Sequence, residues 1–177
     1  MKVLLKLFGG LAVLVLLLLA VAFFFPRAYH VERSTVIQAK PEVVFAQVAD
    51  LKAWKNWGVW FERDPQMQVT YSEPTTGVGA WSAWKSATEG NGKATLVALT
   101  PGTYAEYKLE FEGWENASKG TFSLAVVPEG THLTWSDEGD LGNSPVARWF
   151  GLFLDKMIGP DFEAGLAKLK TVCEGGK

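Results

Sequence analysis

The chain is poor in the residues from which reactive centres are usually built. Its 177 residues hold one cysteine, Cys173, and two histidines, His30 and His132. A lone cysteine excludes an intrachain disulfide and any multi-cysteine zinc site, and two histidines leave little for a histidine metal cage. No P-loop, G-x-S-x-G, H-E-x-x-H or dinucleotide fingerprint occurs, and Gly77-Val78-Gly79 reads as a turn, not a phosphate cradle. Basic charge is scarce as well. Lys+Arg number 17 against 19 Asp+Glu, a net charge of −2, and with Lys2 and Lys6 set aside the remainder is more acidic still. With no basic field to hold a phosphate backbone, nucleic acid is not an expected partner. Hydrophobic residues at 48% and charged residues at 20% argue against general disorder. Tryptophan is abundant: there are 8, all between Trp54 and Trp149, an aromatic payload for a core or a pocket wall.

One long hydrophobic run stands apart. Leu7–Phe25 carries no charge, and as a helix it spans roughly 28 Å, close to a bilayer's hydrocarbon core. A cleaved signal peptide is the rival reading, because Ala20-Val21-Ala22 has the small-x-small form. Phe23-Phe24-Phe25 after the cut and the length of the run favour an uncleaved anchor. No cysteine lies near the run, so lipoprotein processing is excluded. Lys2, Lys6 and the amino terminus favour a cytoplasmic N-terminus, against the weaker opposing pull of Arg27 and Arg33. The expectation is therefore an anchor over 1–26 and a domain over 27–177, in a single-pass bacterial inner-membrane protein whose C-terminal domain is extracytoplasmic.

The remainder reads as one α+β unit without repeats. Val31–Ala39 is rich in β-branched residues and reads as a strand. Pro41 suits a first helical turn, with Val44, Phe45 and Val48 as its apolar stripe. Asp50 can cap a second short helix carrying Leu51, Trp54 and Trp57. Met67–Ser72, Val78–Ala87, Lys93–Thr100, Thr103–Glu112, Gly120–Val127 and Thr131–Glu138 then follow at hairpin spacing. The turns between them carry Gly90-Asn91-Gly92, Pro101-Gly102 and Glu129-Gly130, which predicts a mostly antiparallel sheet. A final long helix is capped by Asn143 or Ser144, and its face is Phe162, Leu166, Leu169 and Cys173; Gly159-Pro160 is expected to kink it.

Ala39-Lys40-Pro41-Glu42-Val43-Val44-Phe45, followed by Trp54-Lys55-Asn56-Trp57, resembles the opening of the START-like, polyketide-cyclase-like (SRPBCC) superfamily. Gly159 to Lys170 resembles the closing helix of its small bacterial members. The resemblance covers about Val31 to Glu174. It implies a helix-grip fold, in which a curved seven-stranded antiparallel sheet wraps the closing helix and leaves an apolar cavity. The superfamily spans lipid carriers, cyclases, hormone binders and co-chaperones, so it specifies a fold more sharply than a function.

Period-two alternation assigns faces. Ala105, Tyr107, Leu109 and Phe111 point one way, towards the expected cavity, with Glu106 and Glu110 on the solvated face and so unsuited to paired acid–base work. Phe122, Leu124 and Val126 are expected to face inward from the next strand. Leu133, Trp135 and Asp137 share a face, which makes Asp137 the expected polar group at the cavity rim and turns His132 outward. Trp57 and Trp60 read equally well as packing or as an aromatic gate over the mouth. Of Trp81 and Trp84, one faces in and one out. Cys173 reads as a buried helix residue, and Asn116-Ala117-Ser118 is a sequon of a kind frequent by chance. The expected cavity lining is Trp57, Trp60, Tyr107, Leu109, Phe111, Phe122, Leu124, Trp135, Asp137 and Phe162, with no catalytic set, metal or cofactor.

Three function classes follow. The favoured one is a membrane-anchored binder or carrier of a hydrophobic small molecule or lipid. The others are a cyclase- or hydrolase-like enzyme using the same cavity, and an envelope interaction module with a collapsed cavity and a protein partner.

Overall fold

The computed structural model describes residues 2–175. Met1, Gly176, Lys177 and the side chains of Lys2 and Leu5 lie outside that description, and with them part of the charge on which the expected orientation rests. Helix α1 (Lys2–Ala22) comes first, followed by β1 (Ala28–Ile37), α2 (Pro41–Val48), a 3-10 turn (Ala53–Asn56) and α3 (Trp60–Arg63). Six strands follow: β2 (Gln68–Tyr71), β3 (Trp81–Lys85), β4 (Gly92–Thr100), β5 (Tyr104–Phe111), β6 (Ser118–Val127) and β7 (Gly130–Asp140). Helices α4 (Pro145–Gly151) and α5 (Leu154–Glu174) close the chain.

The seven strands form one antiparallel sheet in the order β1-β7-β6-β5-β4-β3-β2. A register shift between Leu96 and Ala98 inserts Val97 as an extra residue in β4, the kind of bulge that bends a strand and curves its sheet. Helix α5 lies along β1, and its buried residues include Phe162, Leu166, Leu169 and Cys173, the face expected from their spacing. Helix α2 packs Val44 and Val48 into the same core.

Two boundaries differ from expectation. The Ser144 hydroxyl caps α4 by accepting from the Ala147 amide, as read, but the helix stops at Gly151 and α5 starts afresh at Leu154. The break falls there and not at Gly159-Pro160, through which α5 runs on. Gly159 serves a different purpose, since a Cβ there would sit 2.0 Å from the Arg33 guanidinium. Arg33 crosses the helix at that point and holds Asp155 at 2.8 Å and Glu163 at 2.7 Å. In addition, β3 begins only at Trp81, because Gly77-Val78-Gly79 stays a turn. Val126, expected inward, is 77% exposed, near the β6–β7 hairpin.

Large apolar side chains along α1, from Val3 to Val21, are exposed. Among the described residues no helix is long and apolar enough to cross a membrane.

Gly120 on β6 leaves no room for a side chain. The Tyr107 ring lies over it, and a Cβ would fall 1.9 Å from a ring carbon. Gly120→Ala must displace a buried ring that is itself hydrogen-bonded to Trp135. The expected cost is about 1–3 kcal/mol, as for other overpacked cores. A lower urea midpoint of the detergent-solubilised chain, with loss of near-UV aromatic signal, checks it.

Candidate functional site

Between the sheet and the 53–63 segment lies a cavity of about 50 Å³. A water molecule's share of liquid volume is about 30 Å³ and small-molecule pockets run to about 300–1,000 Å³. The space is therefore a narrow seam. Trp57, Trp60, Tyr107, Leu109 and Phe111, all expected lining residues, border it. Trp54, Phe61, Met67, Val69 and Trp84 also line it, with Leu51, Gly58 and the buried Ser82. Of these, Trp54 belongs to the Trp54, Trp57, Trp60 spacing with Phe61 beside it, and Trp84 proves to be the inward member of the Trp81/Trp84 pair. Trp81 lies instead near the Lys93 ammonium, 5.3 Å from its ring.

The other expected lining residues sit elsewhere. Phe122, Leu124, Trp135 and Phe162 are buried in one continuous core and do not border the seam. Trp135 stacks on Phe162 with ring centroids 3.8 Å apart and planes within 5°. Phe122 packs edge-on to Trp54 and Trp57 at 6.0 and 5.9 Å. The Trp135 indole N–H donates to the Tyr107 hydroxyl at 2.9 Å, and burial pushes that phenol well above its ordinary range. Inward facing was the correct parity. However, the middle rows of the sheet are filled by aromatic rings, and the gap bordered by the 53–63 segment lies towards β2, β3 and the end of β5.

Asp137 faces inward yet does not border the cavity. Its carboxylate accepts from the Tyr29 hydroxyl at 2.8 Å and the Ser118 hydroxyl at 2.9 Å. Burial raises it to about 6, although both hydrogen bonds favour the charged form. Glu106 accepts from Tyr104, and Glu110 pairs with Lys108 at 2.7 Å, both on the outward face. His132 stands between Val36 and Ala125 in the register, with no acid beside it in either neighbouring strand. Burial lifts the Cys173 thiol to about 11, away from nucleophilic use. Among the described residues no cluster of three His, Cys, Asp or Glu side chains is placed to hold a metal ion. A larger hollow of about 880 Å³ lies on the outward side of β1, β7, β6 and β5. His30, Lys108, Lys119 and Glu138 line it with side chains close to half exposed, so it is a solvated trough and not an enclosed site.

The wall opposite the sheet is unevenly held. Trp54 and Trp57 are fixed by donating their indole N–H groups to the Val48 and Gln47 carbonyls, at 3.0 and 3.3 Å. Helix α3 has no buried residue. Its ties are both ionic and aromatic: Arg63 pairs with Asp161 and Glu89 at 2.8 and 2.9 Å, Glu62 pairs with Lys168, and the partly buried Trp60 ring stacks on Trp135 at 5.9 Å. Exposed pairs of this kind contribute about 0–1 kcal/mol each. Trp60 and Phe61 thus cover the seam from a short helix that has no fully buried residue. Trp84, on the opposite wall, has a buried indole N–H with no hydrogen-bond partner.

Among curated proteins none matches the chain. Solved structures with the same fold include protein CV1439 from Chromobacterium violaceum, at 19% identity and a TM-score of 0.59, over 82% of this chain and 96% of that one. The di-domain ARO/CYC StfQ of the steffimycin biosynthetic pathway matches at 15% identity and a TM-score of 0.63, over 84% of this chain and 51% of that one. The Aha1 dimer from Colwellia psychrerythraea matches at 17% identity and a TM-score of 0.57, over 84% and 98%. The family model described as polyketide cyclase / dehydrase and lipid transport matches residues 28–174, and with the START-like, SRPBCC-type sheet and closing helix in place, the chain belongs to that family.

Proposed function

We propose that the protein is a membrane-anchored binder or carrier of a hydrophobic small molecule or lipid, which enters the aromatic seam by displacing α3. The observation that carries this reading is the pairing of a wall of fixed aromatic rings with a short cover helix that has no buried residue and is held by partly exposed ion pairs and one ring stack. The unpartnered Trp84 N–H adds a donor for a ligand's acceptor group, since an unsatisfied buried donor costs about 1–3 kcal/mol. The uncharged run Leu7–Phe25 and the exposed apolar side chains of α1 support anchoring. Lys6 on the short side supports a cytoplasmic N-terminus and an extracytoplasmic domain at a bacterial inner membrane. The small volume of the seam favours a second reading, an interaction module with a collapsed cavity, and the test below separates the two.

The enzymatic alternative lacks converging groups. Asp137, its best acid, is held by two hydroxyls away from the seam, where it braces β1, β6 and β7.

The full chain in vesicles, irradiated with a diazirine-bearing fatty acid, should be labelled on peptides carrying Trp57–Phe61, Trp84 and Leu109–Phe111. Arg63→Ala frees about 1 kcal/mol of ionic restraint on the cover and should raise that labelling up to about fivefold. Leu109→Trp, which fills the seam, should abolish it. Labelling confined to α1 would instead support the collapsed module.

Asp137 sets a pH dependence. Its folded pKa of about 6 lies above its ordinary 3.8, so the folded state holds the proton more tightly. The associated stability is present below about pH 4 and is lost as pH rises through about 6, by at most about 3 kcal/mol. Urea midpoints of the wild type should fall across that window, while those of Asp137→Asn stay level.

A further inference from the structure

Helix α4 and the start of α5 carry apolar side chains that the fold does not cover. Val146, Phe150, Phe153 and Met157 are each more than half exposed. Their spacing of 4, 3 and 4 puts them on one helical stripe, maintained across the α4–α5 break by the Phe153 amide bonding the Phe150 carbonyl at 2.9 Å. Nothing in the core calls for these residues, since this segment packs inward through Arg148 and Leu154.

The position of this stripe relative to α1 is fixed by specific bonds. The Trp149 indole N–H donates to the Leu18 carbonyl at 3.0 Å. Arg148 donates to the Phe23 carbonyl at 2.9 Å and lies 5.3 Å from the Phe23 ring centroid. Phe25 meets Trp149 edge-on at 4.7 Å. Leu18 lies four residues before the end of α1, about 6 Å along its axis. Whatever medium surrounds the apolar side chains in the last turns of α1 therefore reaches the level of α4.

We propose that the stripe Val146–Phe150–Phe153–Met157 is a lipid-contact surface, laid into the headgroup–acyl boundary of the bilayer that α1 enters. This rests on the anchor reading above. Apolar faces of interfacial helices sit about 5–10 Å into that boundary, which matches the depth at which Trp149 joins α1. The recognition is apolar: Arg148 is buried, and Asp155 is bound to Arg33, leaving Lys156 as the one exposed basic residue within Val146–Met157. The ligand seam lies towards the same end of the sheet. Phe111 and Trp84, which line it, close the register at the end where Ala28 and Asp140 pair, so the docked face turns that end towards lipid.

The test uses the full chain in phosphatidylcholine vesicles with an NBD fluorophore on Phe153→Cys. The native Cys173 is buried, and unlabelled wild type measures its reactivity. Val126→Cys, exposed at the opposite end of the sheet, is the control. A lipid spin-labelled close to its headgroup should quench the residue-153 probe at least about twofold and leave the residue-126 probe unchanged, with or without added phosphatidylglycerol. If Phe153→Cys fails to fold, Met157→Cys on the same stripe replaces it. Flotation of the chain with vesicles without quenching at 153 overturns the docking surface and spares the anchor. A blue-shifted but unquenched probe, accompanied by crosslinking between chains, overturns it in favour of a second copy as occupant. Failure of the chain to float removes the anchor and this surface together.

Discussion

The Trp135 indole joins the sheet to everything that covers it. It stacks on Phe162 of α5, meets Trp57 of the 53–63 segment edge-on at 5.4 Å, and packs beside Phe122 of β6 at 5.2 Å. Its one polar atom is satisfied by Tyr107 of β5. Two glycines make this geometry possible: Gly120, over which Tyr107 lies, and Gly165, where a Cβ would come within 3.0 Å of the Trp135 ring. Because this assembly fills the middle of the grip, the residual space is displaced towards β2 and β3. The site's location is thus a by-product of where the core is densest.

That displacement also explains how much was legible in the sequence. Strand parity is set by a two-residue period, so Tyr107, Trp135 and Asp137 were assigned to the inward face from alternation alone. Whether an inward residue meets a helix, a ring or a void depends on strand register and on what lies opposite. Those are long-range facts: Trp135 aligns with Arg33, more than a hundred positions away. The helix break shows the complementary limit. Pro160 looked like the interruption because it lacks an N–H, yet losing one hydrogen bond does not end a helix whose neighbouring face is packed along β1 and clamped by Arg33. The break at Leu152-Phe153 carries no Gly-Pro pair to announce it. Val126 shows that alternation says nothing about where the cover ends.

The cover and the wall of the seam are built from different interactions, which has a functional logic. Aromatic packing and indole hydrogen bonds hold Trp54 and Trp57, and they vary little with salt. Helix α3 adds to the Trp60 stack a set of ion pairs near the surface, which electrolyte screens over about 8–10 Å. Salt can therefore weaken part of the cover's attachment without loosening the core that walls the seam. Family membership alone would not reveal this division, since the same fold supports chemistry and carriage alike.

The pairing of β1 with β7 has a consequence for biosynthesis. The first strand of the domain closes the sheet against the last, with Ile37 opposite Thr131 and Ala28 opposite Asp140. At roughly 5–20 residues per second, β1 leaves the ribosome about 5–20 s before its partner exists. Throughout that interval it is a lone strand with unsatisfied backbone groups on both edges, next to the most apolar segment of the chain. The nascent domain is thus open to edge pairing at its amino-terminal side until β7 is made.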